Sequence, residues 1–364
     1  MKQPRHHVSV ASPACPDCAL PTRRNIIKTA MGGMAAVTAA SLWTPGGLQR
    51  VMASEAAASG TKPAAETLVA QLFKSLTDSQ KKIIAFPFDH PLRSKVDNNW
   101  MIVDKAISAI LTPDQLALVK EIFIDMHSEE YADRVLKQVE SDNEEVGGFK
   151  GCSIALFGEP GDMAGDPLNA GKKSKFEFVF AGRHVTRRCD GNSVDGAAFG
   201  GPIFYGHAAG SFREKPDHPG NAYWFQALRA NEVFKALDGK QRKIALLDTD
   251  PRAEQGTKTV ALRQSTKELP GVGMRDLSVD QKDLVKKVMA DLLAPFRKPD
   301  ADEAMNLIEH GGIENLHMAF YSKMDIGNDG VWDVWQIEGP NMIWYFRGAP
   351  HVHTWVHVRE PEKA

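Results

Sequence analysis

The chain has 364 residues, 43% of them hydrophobic, and its 44 basic and 46 acidic side chains leave a net charge of −2. No Lys/Arg stripe interleaved with aromatics runs through it, which argues against nucleic acid as a partner, and no basic amphipathic helix suggests membrane-surface docking. Of its four cysteines, only Cys152 and Cys189 lie beyond the amino-terminal segment, too few for a disulfide scaffold or a Cys-rich zinc site.

In chain order, the first motif is Thr22-Arg23-Arg24-Asn25-Ile26-Ile27-Lys28, followed by an Ala/Gly-rich run from Thr29 to Leu42. An arginine pair ahead of a short, weakly apolar run resembles a twin-arginine export signal, a receptor-read address and not an anchor. The run is shorter than the roughly 20 residues a membrane-spanning helix requires. Small residues around Val51-Met52-Ala53 fit a cleavage site, so residues 1–53 read as signal peptide and 54–69 as a flexible leader. The resemblance implies the twin-arginine export machinery as a partner, a periplasmic or extracellular location, and no stable membrane insertion once processed. Cys15 and Cys18 fall in the discarded segment. Cys152 and Cys189 remain, and a single bridge between them stays open.

The following residues, about 300 of them, suffice for one large domain or two coupled ones. They repeat themselves. Phe73 to Ala85 reappears as Phe234 to Ala245 at an offset of 161, and Leu111 to Lys120 as Leu277 to Lys286 at an offset of 166. The second pair carries a Thr/Ser N-cap with Gln three residues on, the spacing of a capping box ahead of an apolar run, so both copies predict helix starts. Phe176 to Val185 aligns with Asp333 to Met342, Gly182 falling on Gly339 at an offset of 157. Each reads as two strands meeting at a glycine turn, preceded by an apolar strand at Ser153 to Phe157 and at Leu316 to Tyr321. Three collinear offsets predict an α+β fold with an internal duplication: helix, helix, strand and strand pair, twice, over residues 70–200 and 230–358. The two copies would be related by a pseudo-two-fold axis around a mixed or antiparallel sheet. Ile83 and Ile244 are the expected equivalent core positions. Gly196 to Gly210, rich in Gly and Ala, reads either as a loop over a ligand cleft or as the connection between repeats.

Taken together, Ile154-Ala155-Leu156-Phe157-Gly158-Glu159-Pro160, Gly182-Arg183-His184, Gly201-Pro202-Ile203-Phe204-Tyr205-Gly206, Ile337-Glu338-Gly339-Pro340 and the terminal His351-Val352-His353 resemble the DUF3500 family, a group of uncharacterised, often exported bacterial proteins, over residues 70–358. The family pattern has Gly-His-His at the first turn and Arg-Asp-Pro near the end. This chain has Gly182-Arg183-His184 and Arg359-Glu360-Pro361 there. The resemblance implies the architecture and points at histidines without supplying a reaction.

The candidate site follows from strand parity. On a strand, residues two apart share a face, so His351, His353, Trp355 and His357 project together. Two imidazoles in His-x-His spacing offer nitrogen ligands to one divalent transition metal, Zn, Cu, Mn or Fe, and the duplication brings His184 toward them as third ligand or general base. Glu338 is the supporting carboxylate, with Glu159 and Glu177 near the same strand ends. Phe204 and Tyr205 are expected to wall a small-molecule cleft, with Arg213 binding an anionic group. Serine-nucleophile, P-loop, dinucleotide and HExxH signatures are all missing. The sequence therefore supports an exported metal-dependent enzyme, hydrolytic or oxidative, against the alternatives of a periplasmic binding or assembly protein and of an ordinary polar edge strand.

Overall fold

Four of the helices begin with the same chemical device. Thr77, Thr112, Asp238 and Ser278 each cap a helix N-terminus, and the glutamine three residues on returns a bond to the cap backbone, satisfying donors that a helix end leaves bare. These glutamines do more than cap. Gln80 Nε2 donates to Gln115 Oε1 at 2.7 Å, with Gln115 Nε2 returning to Gln80 Oε1 at 3.2 Å, and Gln241 and Gln281 exchange the same two bonds at 2.9 and 2.8 Å. Each pair locks two helix starts together.

The computed structural model describes residues 64–160, 175–208, 218, 220–263, 265–325 and 329–361; the arginine pair, the cleavage site, Cys15, Cys18 and Arg213 lie outside them. The helices are α1 (Ala65–Ser75), α2 (Asp78–Ile84), α3 (Ile107–Ile110), α4 (Pro113–Asp125), α5 (Glu129–Asp142), α6 (Trp224–Ala236), α7 (Gly239–Ala245), α8 (Val279–Leu293) and α9 (Lys298–Gly311). The strands are β1 (Ala85–Phe86), β2 (Ser153–Gly158), β3 (Phe176–Gly182), β4 (Val185–Cys189), β5 (Ile203–His207), β6 (Leu246–Leu247), β7 (Val272–Gly273), β8 (His317–Tyr321), β9 (Val334–Gly339), β10 (Met342–Arg347) and β11 (Val352–Val358). Among the described residues the fold is mixed α/β, built on one open mixed sheet ordered β1-β2-β3-β4-β5-β11-β10-β9-β8-β6, with β7 added to β8. Pairing is antiparallel except for β1 with β2 and β6 with β8, which are parallel. The centre of the sheet is the antiparallel pair β5 and β11, where Val352 faces His207 and Val356 faces Ile203.

Both faces of the sheet are covered, so its strands are buried along nearly their whole length, polar side chains such as Arg187, Glu338 and His353 included. One face carries Phe178, Phe180, Tyr205, Trp344 and Val356 into a core shared with the helices. The opposite face carries Phe204, Trp355, Ile343 and Tyr345 against Val96 and Val260, and Phe157 and Val179 against Trp100 and Ile102. These covering residues come from the long connections after β1 and β6.

Three expectations change. Gly196 to Gly210 is not simply a loop, because Ile203–His207 within it is the central strand β5. The strand escapes notice because it is five residues long and contains Gly206, where a Cβ would sit 2.2 Å from the Val352 carbonyl oxygen and 3.3 Å from the His184 ring. Ile244 is 51% exposed, and the buried positions one residue later are Ile84 and Ala245, both at 0%; the apolar face of these short helices is rotated by one residue from the expectation. Cys152 and Cys189 are free and buried, with no bridge between them.

Candidate metal centre

The β3–β4 turn delivers the first histidine. Gly182 pairs with Val185, leaving Arg183 and His184 as the turn, and His184 adopts φ 58°, a left-handed conformation that histidine seldom takes. Three neighbours hold it there. The His184 amide donates to the Asn98 carbonyl at 2.7 Å, its carbonyl accepts from the Gly206 amide at 3.1 Å, and Asn143, at the end of α5, bonds both the amide and the carbonyl of Arg183. The other two histidines sit at the start of β11, His351 just before the strand and His353 within it. Gly206, directly opposite His353 in the sheet, leaves the space through which the His184 ring reaches across β5.

The three imidazoles converge. His353 Nε2 lies 3.0 Å from His184 Nε2 and 2.9 Å from His351 Nε2, ring centroids are 4.7–5.0 Å apart, and one ligand nitrogen from each falls within 4.8 Å of the others. His184 is 3% exposed and His353 0%, while His351 is half-buried and forms the accessible side. His353 Nδ1 donates to Glu254 Oε2 at 2.5 Å, which places its proton on Nδ1 and leaves Nε2 with one in-plane lone pair. A single lone pair accepts one good hydrogen bond, yet two ring nitrogens approach it. A cation at the common point of the three Nε2 atoms satisfies all of them at once, and a carboxylate behind a ligating imidazole is the usual support of a metal-bound histidine.

A polar ring surrounds the cluster. Asp142, the last residue of α5, approaches His184 Nδ1 at 3.1 Å, off the hydrogen-bond direction. Its carboxylate accepts from the Ala208 amide at 3.0 Å and from Gln138 Nε2 at 2.6 Å, and Gln138 Nε2 also meets His207 Nδ1 at 2.8 Å. Burial pushes the Asp142 carboxyl up to about 7, against the pull of His207. Glu254 is raised for the same reason, its other oxygen lying 3.0 Å from Arg347 Nε. Burial likewise holds His184 and His353 well below the ordinary imidazole range and His351 down at about 2, helped by the neighbouring rings and by Arg183 and Arg347. All three are neutral at physiological pH, the form a metal requires.

The structure thus brings together His184, His351 and His353 and separates the other candidates from them. Glu338 pairs with Ile343 on β10, four residues from the Arg347 that faces His353, and is held by Arg252, Arg263 and Gln336. Glu177 is bound by Arg93 and Arg188, and Glu159 is exposed. Phe204 lies beneath the cluster, 5.2 Å from the His353 ring. Tyr205 points the other way, donating to Gln226 at 2.8 Å and accepting from Trp344 at 3.0 Å. Both are buried, so neither walls an open cleft. His357 turns to the Val260 carbonyl at 3.1 Å. Sequence reasoning missed Asp142, Gln138, Glu254 and Arg347. The first three carry no spacing signal, since they come from a helix end and a loop far from the histidines in sequence. Arg347 alternates with Ile343 and Tyr345 on an apolar strand, a charge where parity demands an inward side chain.

An open α/β sheet with a buried three-histidine cluster at its central strand pair defines the class. Residues 58–363 match the family described as Protein of unknown function (DUF3500), and the chain belongs to that family. No curated protein and no solved structure matches the chain.

Proposed function

We propose that this protein is an exported metal-dependent enzyme in which His184, His351 and His353 hold one divalent transition metal, Zn, Cu, Mn or Fe, for hydrolytic or oxidative chemistry on a small molecule. The observation that carries the reading is the approach of two ring nitrogens to the single lone pair of His353 Nε2, with Glu254 fixing the tautomer from behind. Three neutral imidazoles suit such ions and leave a coordination position for water or substrate on the half-buried His351 side. A bound metal supplies Lewis acidity and lowers the pKa of a bound water. Export is supported by Arg23-Arg24 and the short run after it.

Two repeats meeting at the site are supported by the three sequence offsets, by a strand order that runs β1 to β5 from one edge and β6 to β11 from the other, and by the matching glutamine pairs. In this reading His184 and the His351/His353 pair come from opposite copies.

Metal content of the protein purified after native export tests the function. About one equivalent per chain, lost in the His351→Ala/His353→Ala double variant, is the expected result; a folded, metal-free wild type favours the binding or assembly alternative. Replacing Arg23 and Arg24 with Lys is expected to leave precursor in the cytoplasm, and undiminished export would discard the signal reading.

A further inference from the structure

We infer that the centre takes a small oxyanion ligand, bound jointly by the metal and the Arg347 guanidinium, with Arg183 at the rim. This rests on the metal reading above.

Charge is the first argument. Arg183 directly precedes His184 in its turn and Arg347 faces His353 across the β10–β11 register, while Asp142 and Glu254 touch His184 and His353. A divalent cation held by the three imidazoles adds positive charge beside two guanidinium groups at a place where His353 is fully buried, which is costly unless an anion accompanies it.

Arg347 supplies the second argument. It sits opposite His353 in the β10–β11 register, on the same face, and is 6% exposed. Its Nε lies 3.0 Å from Glu254 Oε1 without hydrogen-bond alignment, and its Nη2 has no partner. A guanidinium that has lost its water and keeps an unspent donor is expensive. Arg183 is half-buried in the turn beside His184, and among the described residues its side chain forms no hydrogen bond or ion pair. An oxyanion offers negative charge to the cation and acceptor oxygens to a guanidinium at once, the pairing that planar guanidinium recognition favours.

The test uses the full mature chain loaded with Co(II), its metal content measured first and its visible bands then titrated with acetate, inorganic phosphate and neutral acetamide. Saturable band shifts with acetate but not acetamide are expected. Arg347→Gln should keep one cobalt per chain and bind acetate at least about tenfold more weakly, roughly 1.4 kcal/mol. If Arg347→Gln does not fold, Arg183→Gln carries the comparison, with a several-fold weakening expected. Saturation by phosphate also supports an oxyanion site, and the tighter of the two anions names the head group. Stoichiometric cobalt with no anion response, or equal acetate affinity in wild type and variant, overturns this inference alone. A wild type that binds no cobalt overturns the metal reading and this inference with it.

Discussion

Glu254→Gln separates a metal centre from a structural histidine cluster. The substitution keeps the size of the side chain and removes the charge that accepts from His353 Nδ1 at 2.5 Å while facing Arg347 Nε at 3.0 Å. Loss of such a carboxylate behind a ligating imidazole lowers metal affinity about 10- to 100-fold, or roughly 1.4 to 2.7 kcal/mol. It also strands the Arg347 charge, so the metal-free protein should lose on the order of 3 kcal/mol of stability. Competition against a chromophoric chelator, with Zn(II) as titrant and the folded fraction fixed by circular dichroism, reads the first quantity; urea unfolding of the stripped protein reads the second. The reasoning is refuted if zinc affinity stays within twofold of wild type in a folded variant, because Glu254 then does not tune a ligand.

Gln115→Ala and Gln281→Ala each remove a cap and the reciprocal bonds to the partner glutamine, and each should cost about 1 to 3 kcal/mol in chemical denaturation. One shared sheet predicts a single transition for both, and two separated transitions would speak for independent halves. Val352→Thr, on the helix-facing side of β11, should leave metal content unchanged although it buries a hydroxyl and destabilises by about 1–3 kcal/mol; loss of the metal would break the parity argument. His127 gives a pH signature. It donates to the Phe123 carbonyl, accepts from Arg187, and burial with Arg187 lowers it to about 3. The unfolded chain therefore takes up a proton below about 6.5 that the native one refuses. The stabilisation is complete above that pH and falls by roughly 1.4 kcal/mol per unit down to about 3. His127→Gln should remove that slope from stability measured between pH 6.5 and 4, and an unaltered slope contradicts a buried neutral imidazole.

The helix starts were legible because a capping box is local chemistry, and the hairpins around Gly182 and Gly339 because a glycine between apolar runs is a local turn signal. The His351/His353 pair was legible by strand parity, and His184 through the Gly182-Arg183-His184 motif and the expected duplication. β5 was hidden, since a short strand interrupted by Gly206 looks like a loop until His184 is seen to need the missing Cβ. Glu338 illustrates the opposite error. A carboxylate near a strand end looks available for chemistry, but three partners bind it. The carboxylates that do face the imidazoles, Asp142 and Glu254, come from segments whose meeting depends on tertiary packing, and no spacing along the chain encodes it.

The most direct test is anomalous diffraction at the metal edge on crystals of the natively exported, metal-loaded protein. The account predicts one strong peak within about 2.0 to 2.2 Å of the Nε2 atoms of His184, His351 and His353, with Glu254 still bonded to His353 Nδ1. A stoichiometric metal found elsewhere, or three histidines bonded only to one another in a fully active protein, would contradict it.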